Sequence, residues 1–223
     1  MKEAISQSVS NSLIRIHKVI TRGLEVSLQH TDTFINQGFP NETTKQGFMI
    51  YIQTLASVIH GHHLAEDDLA FPYFENIFPK IPYTHLCQEH ERMQKLVDML
   101  QPILSELAES SDSKLLLQKL KIVLENLDEI WHPHYKMEES HIKEERVNAL
   151  ISMEEQMKLN QSFSEHSKKN TGPEFLVIPF MLYNLNPVDR ADFAAAFPPV
   201  VTQELVPHVW KDQWAPMQPF LLE

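Results

Sequence analysis

The stretch His62-His63-Leu64-Ala65-Glu66-Asp67-Asp68-Leu69-Ala70-Phe71-Pro72 decides how the chain is read. It closes a run of helical spacing in which Phe48, Tyr51, Ile52, Leu55, Val58 and Ile59 share one stripe. That helix is predicted from about Thr43 to Leu69, with Phe71-Pro72 as its stop. His62 continues the stripe, seven residues after Leu55 and three after Ile59, and Glu66 follows at i+4. Residues at i and i+4 lie on one helix face, so this pair points inward together and reaches one metal centre. A buried carboxylate is costly unless a cation meets it. His63 is the rival to His62, but its face also carries His60 and Ala56 and is less apolar, so His62 is preferred.

Working outward, three further stripes each carry an inward histidine. His17 lies among Leu13, Ile14, Ile20, Leu24 and Leu28 on a helix predicted over 5–34. His90 lies between Leu86 and Met93 on a helix from about Pro82 to Leu107, whose stripe continues through Val97, Leu100 and Leu104. His134 follows Leu127 and Ile130 on a helix from about Asp112 to Leu150, and Glu138 stands at i+4 from it. Pro133 is expected to kink that last helix, because it removes a backbone donor. Four such helices with short connections give an all-α, up-down-up-down four-helix bundle over 1–150.

The spacing adds its own argument. His17 to His62 is 45 residues and His90 to His134 is 44, so the chain reads twice as His, a long gap, then His-x-x-x-Glu. Two matching hairpins would face each other across a pseudo-twofold site, and independent core histidines have no reason to show that regularity. The candidate metal ligands are therefore His17, His62, Glu66, His90, His134 and Glu138. Of the 12 histidines, His60 and His132 read as solvated and His141 as lying at the bundle end. His30, His85, His166 and His208 read as surface residues, and Asp67 and Glu139 as solvated carboxylates.

Eight of the 14 prolines fall after position 172, which sets 151–223 apart as a C-terminal helical extension. It opens on a capping box, Ser152 with Glu155, and breaks at Thr171-Gly172-Pro173. Short apolar helices rich in Phe, with Trp210 and Trp214, then pack on the bundle or form an oligomer contact such as a homodimer. The net charge of −11 and the absence of a Lys/Arg cluster argue against nucleic acid and anionic membranes as partners. The single Cys87, the polar first twelve residues and the lack of a long apolar run are read as a soluble cytoplasmic protein.

The set of His17, the 62–72 segment, Glu89-His90-Glu91 and His134-Tyr-Lys-Met-Glu-Glu139 resembles the hemerythrin-like, or HHE cation-binding, domain over about 10–150. The resemblance implies a non-heme centre of two Fe ions, bridged by the two carboxylates and an oxo or hydroxo group. Manganese and zinc rank behind iron, since six nitrogen and oxygen donors suit octahedral-leaning ions. One position departs from the family: where oxygen carriers have a second His one turn after the third-helix ligand, this chain has Gln94. An additional open or water-filled position is expected there. This favours sensing or handling of oxygen, nitric oxide, peroxide or iron over reversible oxygen carriage. The implied partners are a small diatomic ligand or peroxide. The alternatives are a di-iron oxidoreductase, with catalase-like or oxidase activity, and a structural or assembly protein without a functional metal. Tyr51, Tyr73 and Tyr135 are candidate proton donors for the enzyme reading.

Overall fold

Nearly every predicted stripe becomes helix in the computed structural model, which describes residues 8–222. Among these residues the regular structure is entirely helical. Helix α1 spans Val9–Gln37 and ends where Gly38, at φ 74°, turns its N–H back to Phe34 O. The left-handed φ there is open to glycine without the Cβ penalty. The predicted start of this helix at residue 5 lies outside the described residues. Helix α2 spans Glu42–Ala65, with the Asn41 side chain accepting from Thr44 N–H as its N-cap.

Two boundaries depart from expectation. Phe71-Pro72 does not stop the second helix: Glu66–Ala70 forms a π-helical turn, and the chain continues into α3, Phe71–Phe74. Pro72 has no N–H to give, and the wider turn lets Phe71 N–H reach back five residues to Glu66 O. The fourth long helix does not reach Leu150. After α4 (Tyr83–Glu109), helix α5 runs from Lys114 to His141, passing Pro133 without ending. The chain then turns at Ile142 and Lys143 into α6, Glu144–Leu150. The turn buries Ile142, Val147 and Ile151 beside Val9 and Leu13 near the start of α1, which a straight helix would leave outside.

Helices α1, α2, α4 and α5 contribute to a shared core that falls into two apolar clusters. One holds Ile20, Leu24, Ile59, Met93, Leu127 and Trp131, among others. The second holds Leu13, Ala70, Phe71, Leu86 and Ile142. On each of the four helices the inward histidine lies between these two groups in sequence. His17 falls between Leu13 and Ile20, His62 between Ile59 and Ala70, His90 between Leu86 and Met93, and His134 between Trp131 and Ile142. A polar layer thus separates two apolar ones.

The C-terminal segment forms α7 (Met153–Asn170), with the Ser152–Glu155 capping box in place, then α8 (Glu174–Tyr183) and α9 (Pro187–Ala194). A π-helical stretch at Val201–Val209, α10 (Lys211–Trp214) and a 3-10 turn at Ala215–Phe220 complete it. Val177, Phe180, Met217 and Phe220 join the same apolar cluster as Ile52 and Leu55 of α2. Tyr51 Oη donates to Asn184 Oδ1 at 2.7 Å across this contact. Glycine permits the approach: a Cβ at Gly47 would overlap the Pro216 carbonyl, and one at Gly61 would overlap Thr171.

Candidate metal centre

The polar layer contains all six residues named from the sequence, and each is buried. Glu66 and Glu138 lie at its middle. Glu66 Oε2 is 3.4 Å from both His62 Nε2 and His90 Nε2. Glu138 divides its two oxygens, with Oε2 3.3 Å from His17 Nε2 and Oε1 3.4 Å from His134 Nε2. The donors form two groups whose atoms lie within 4.8 Å of one another: His17, His62, Glu66 and Glu138, and Glu66, His90, His134 and Glu138. The two carboxylates belong to both.

Three of the imidazoles are oriented from behind. His17 Nδ1 meets Glu139 Oε1 at 2.9 Å, His90 Nδ1 meets Asp67 Oδ1 at 2.9 Å, and His134 Nδ1 meets Glu89 Oε2 at 3.0 Å. A carboxylate on Nδ1 fixes the proton there and turns the Nε2 lone pair toward the centre of the layer. Asp67 and Glu139 are therefore not merely solvated. The π turn sets Asp67 directly after Glu66, within reach of α4, a placement that helical periodicity does not reveal.

His63 is the second difference. The choice between His62 and His63 dissolves, because both rings are buried. His63 lies four residues after Ile59 and His62 three, so they flank one stripe of a helix packed against both α1 and α4. The His63 ring stacks on His90 at 4.2 Å and 14°, and forms a third donor group with His90 and His134. Gln94 faces elsewhere: its Oε1 accepts from His60 Nδ1 at 2.8 Å and its Nε2 donates to Asp98 Oδ1. The side of the layer expected to be open beside Gln94 thus has an imidazole from α2. The signal available in sequence was Ile59, three and four residues before the paired histidines.

The electrostatics suit a cation. Burial alone would discharge these groups, and it does push His62 down to about 4 and His63 well below the usual histidine range. For His17 and His90 burial is outweighed. The carboxylates of Glu138, Glu139 and Glu66 hold His17 well above its ordinary value, and Asp67 with Glu66 raises His90 to about 10. Burial likewise opposes ionisation of Glu66, yet the neighbouring imidazoles of His62, His17 and His90 hold its carboxyl well below the usual range. Two adjacent buried carboxylates need positive charge between them.

Unused donor atoms support the same conclusion. Buried His17 Nε2, His62 Nε2, both ring nitrogens of His63, Glu66 Oε2 and both Glu138 oxygens have no hydrogen-bond partner among the described residues. Buried polar atoms are nearly always satisfied, and here seven unsatisfied ones belong to residues of one polar layer. Their chemistry, imidazole nitrogen with carboxylate oxygen, fits transition-metal cations.

Comparison with known proteins agrees with this geometry. The family model described as the hemerythrin HHE cation-binding domain matches residues 9–143, and the chain belongs to that family. No curated protein and no solved structure gives a significant match.

Proposed function

We propose that the chain is a non-heme di-iron protein that senses or handles a small ligand of the oxygen, nitric oxide or peroxide class. In this reading the four long helices run up-down-up-down. His17 and His62 hold one iron, and His90, His134 and His63 hold the other. Glu66 and Glu138 are shared between them. The observation that carries the proposal is the pair of donor groups with common carboxylates, in which His17 Nε2, His62 Nε2, Glu66 Oε2 and both Glu138 oxygens are buried without hydrogen bonds. Five imidazoles with two carboxylates make a centre richer in nitrogen than a carboxylate-dominated ferritin-like site, and zinc sites are mostly four-coordinate. The bound irons would supply one-electron redox chemistry and an open valence for a small ligand.

The space beside the carboxylates supports a small ligand. A cavity lined by Glu66, Glu138, Leu13, Phe71, Phe74 and Leu86 has room for about one water-sized molecule. Tyr83 also lines it, and the remaining walls are apolar, so they favour a small neutral ligand over a bulky or charged substrate. Metal analysis of iron-loaded protein tests the proposal, with two irons per chain expected. Unchanged binding in the His62→Ala/Glu66→Ala double variant would refute it. A second reading, peroxide decomposition by the same centre, draws support from the small cavity beside the two carboxylates and is tested by oxygen release from added peroxide.

A further inference from the structure

Trp131 is the aromatic residue set most broadly against the polar layer. Its ring centroid lies 5.6 Å from that of His17, 6.0 Å from His62, 6.1 Å from His63 and 6.1 Å from His134. It is 1% exposed, and its Nε1–H is held by Thr21 Oγ1 at 2.9 Å. One turn along α5, Tyr135 is only partly buried, its ring 5.4 Å from that of Trp131 and 5.9 Å from that of His17. A second aromatic branch leaves His90 through Phe71 at 5.4 Å and reaches Tyr83 at 5.3 Å. That branch is interrupted by a phenylalanine, which is much harder to oxidise than an indole or a phenol.

We propose that Trp131 and Tyr135 form a one-electron route between solvent and the metal centre. The proposal rests on the iron reading above and names hydrogen peroxide as the oxidant. Trp131 gives one electron to the oxidised centre and keeps its Nε1–H on Thr21. Tyr135 refills Trp131 with one electron and releases its phenolic proton to water, becoming a neutral phenoxyl radical. A soluble one-electron donor of the ascorbate class, delivering an electron and a proton, restores the phenol. Two such electrons with two protons reduce one peroxide to two waters. Tunnelling falls steeply with distance, so oxidisable rings in contact serve this transfer better than aliphatic packing.

The test is electron paramagnetic resonance on iron-loaded full-length protein, frozen soon after mixing with hydrogen peroxide. A tyrosyl signal is expected in the parent, retained in Tyr83→Phe, lost in Tyr135→Phe, and shortened in lifetime by ascorbate. Trp131→Phe, or Trp131→Leu should that variant not fold, is expected to weaken and delay it; a signal as large and as fast as the parent's would mean that Tyr135 is oxidised through its contact with His17 and would overturn the Trp131 step. Full iron content with no tyrosyl signal in the parent, or with a signal unchanged in Tyr135→Phe, would overturn the route and leave the iron reading intact. Failure of the parent to bind iron would overturn both.

Discussion

The Nε2 atoms of His90 and His134 face each other at 3.0 Å, while the Nδ1 atom of each ring is held by a carboxylate, Asp67 or Glu89. If both Nδ1 atoms keep their protons, the facing nitrogens present two lone pairs to each other. Only a proton or a cation between them makes that arrangement favourable. The carboxylates behind the rings are thus as much a part of the centre as the donors in front.

Replacing these outer carboxylates should weaken metal binding without removing any donor. In Asp67→Asn, Glu89→Gln and Glu139→Gln, metal affinity is expected to fall by about 10- to 100-fold, the range typical of such partners. Competition with a chelator measures it. Affinities equal to the parent in all three would mean that the rings are held by packing alone.

His63 and Gln94 make opposite predictions. His63→Ala removes a ring that shares a donor group with His90 and His134, so one metal per chain should be lost or bound much more weakly. The metal held by His17 and His62 should remain. Gln94→Ala disturbs only the contacts to His60 and Asp98, and metal content should not change. Metal analysis after desalting distinguishes the two, and equal losses in both variants would reverse the assignment.

The contrast between those residues shows what periodicity reveals. The inward positions of His17, His62, His90 and His134 are legible because each continues an apolar stripe, and the matched spacing pairs the hairpins. The Ser152–Glu155 cap and the break at Thr171-Gly172-Pro173 are legible from local chemistry. His63 is harder to read because it depends on α2 being covered from two directions, which one helix's pattern does not encode. Asp67, Glu89 and Glu139 escape because each meets a histidine on another helix. The turn at Ile142 is a tertiary choice, made by what the apolar side chains beyond it can bury.

A third prediction concerns acid. His30 packs against Phe34, Phe48 and Phe220, and burial lowers its pKa below the ordinary histidine value. The unfolded chain therefore takes up this proton first as pH falls. The resulting loss of stability begins near the ordinary value of about 6.5 and is complete below the folded value; it is absent above that range. His30→Phe should flatten the decline in stability that sets in as pH falls through the ordinary histidine value of about 6.5. Urea unfolding at several pH values checks it, since proton uptake elsewhere is common to both proteins. Parallel curves would show that His30 titrates alike in both states.

The last prediction links the C-terminal segment to the metal layer. Gly61 stands between His60 and His62, and a Cβ there would meet the Thr171 side chain, with Thr171 Cβ at 2.8 Å and Cγ2 at 2.9 Å. Thr171 closes α7, is itself buried, and pairs with Ser167 Oγ at 2.9 Å, so it has little room to retreat. Gly61→Ala should therefore destabilise the protein by about 1–3 kcal/mol through overpacking, against the small gain in helix propensity that alanine otherwise brings. The strain falls on the turn that carries His62 and His63, so metal affinity should fall as well. Thr171→Gly removes every atom named in the overlap, and the double variant should recover most of what Gly61→Ala loses, giving a coupling energy well outside additivity. Denaturant unfolding and chelator competition on the two single variants and the double variant decide the matter. Additive effects would mean that α7 yields freely, and that the close fit of Thr171 against α2 has no bearing on how the histidines are held.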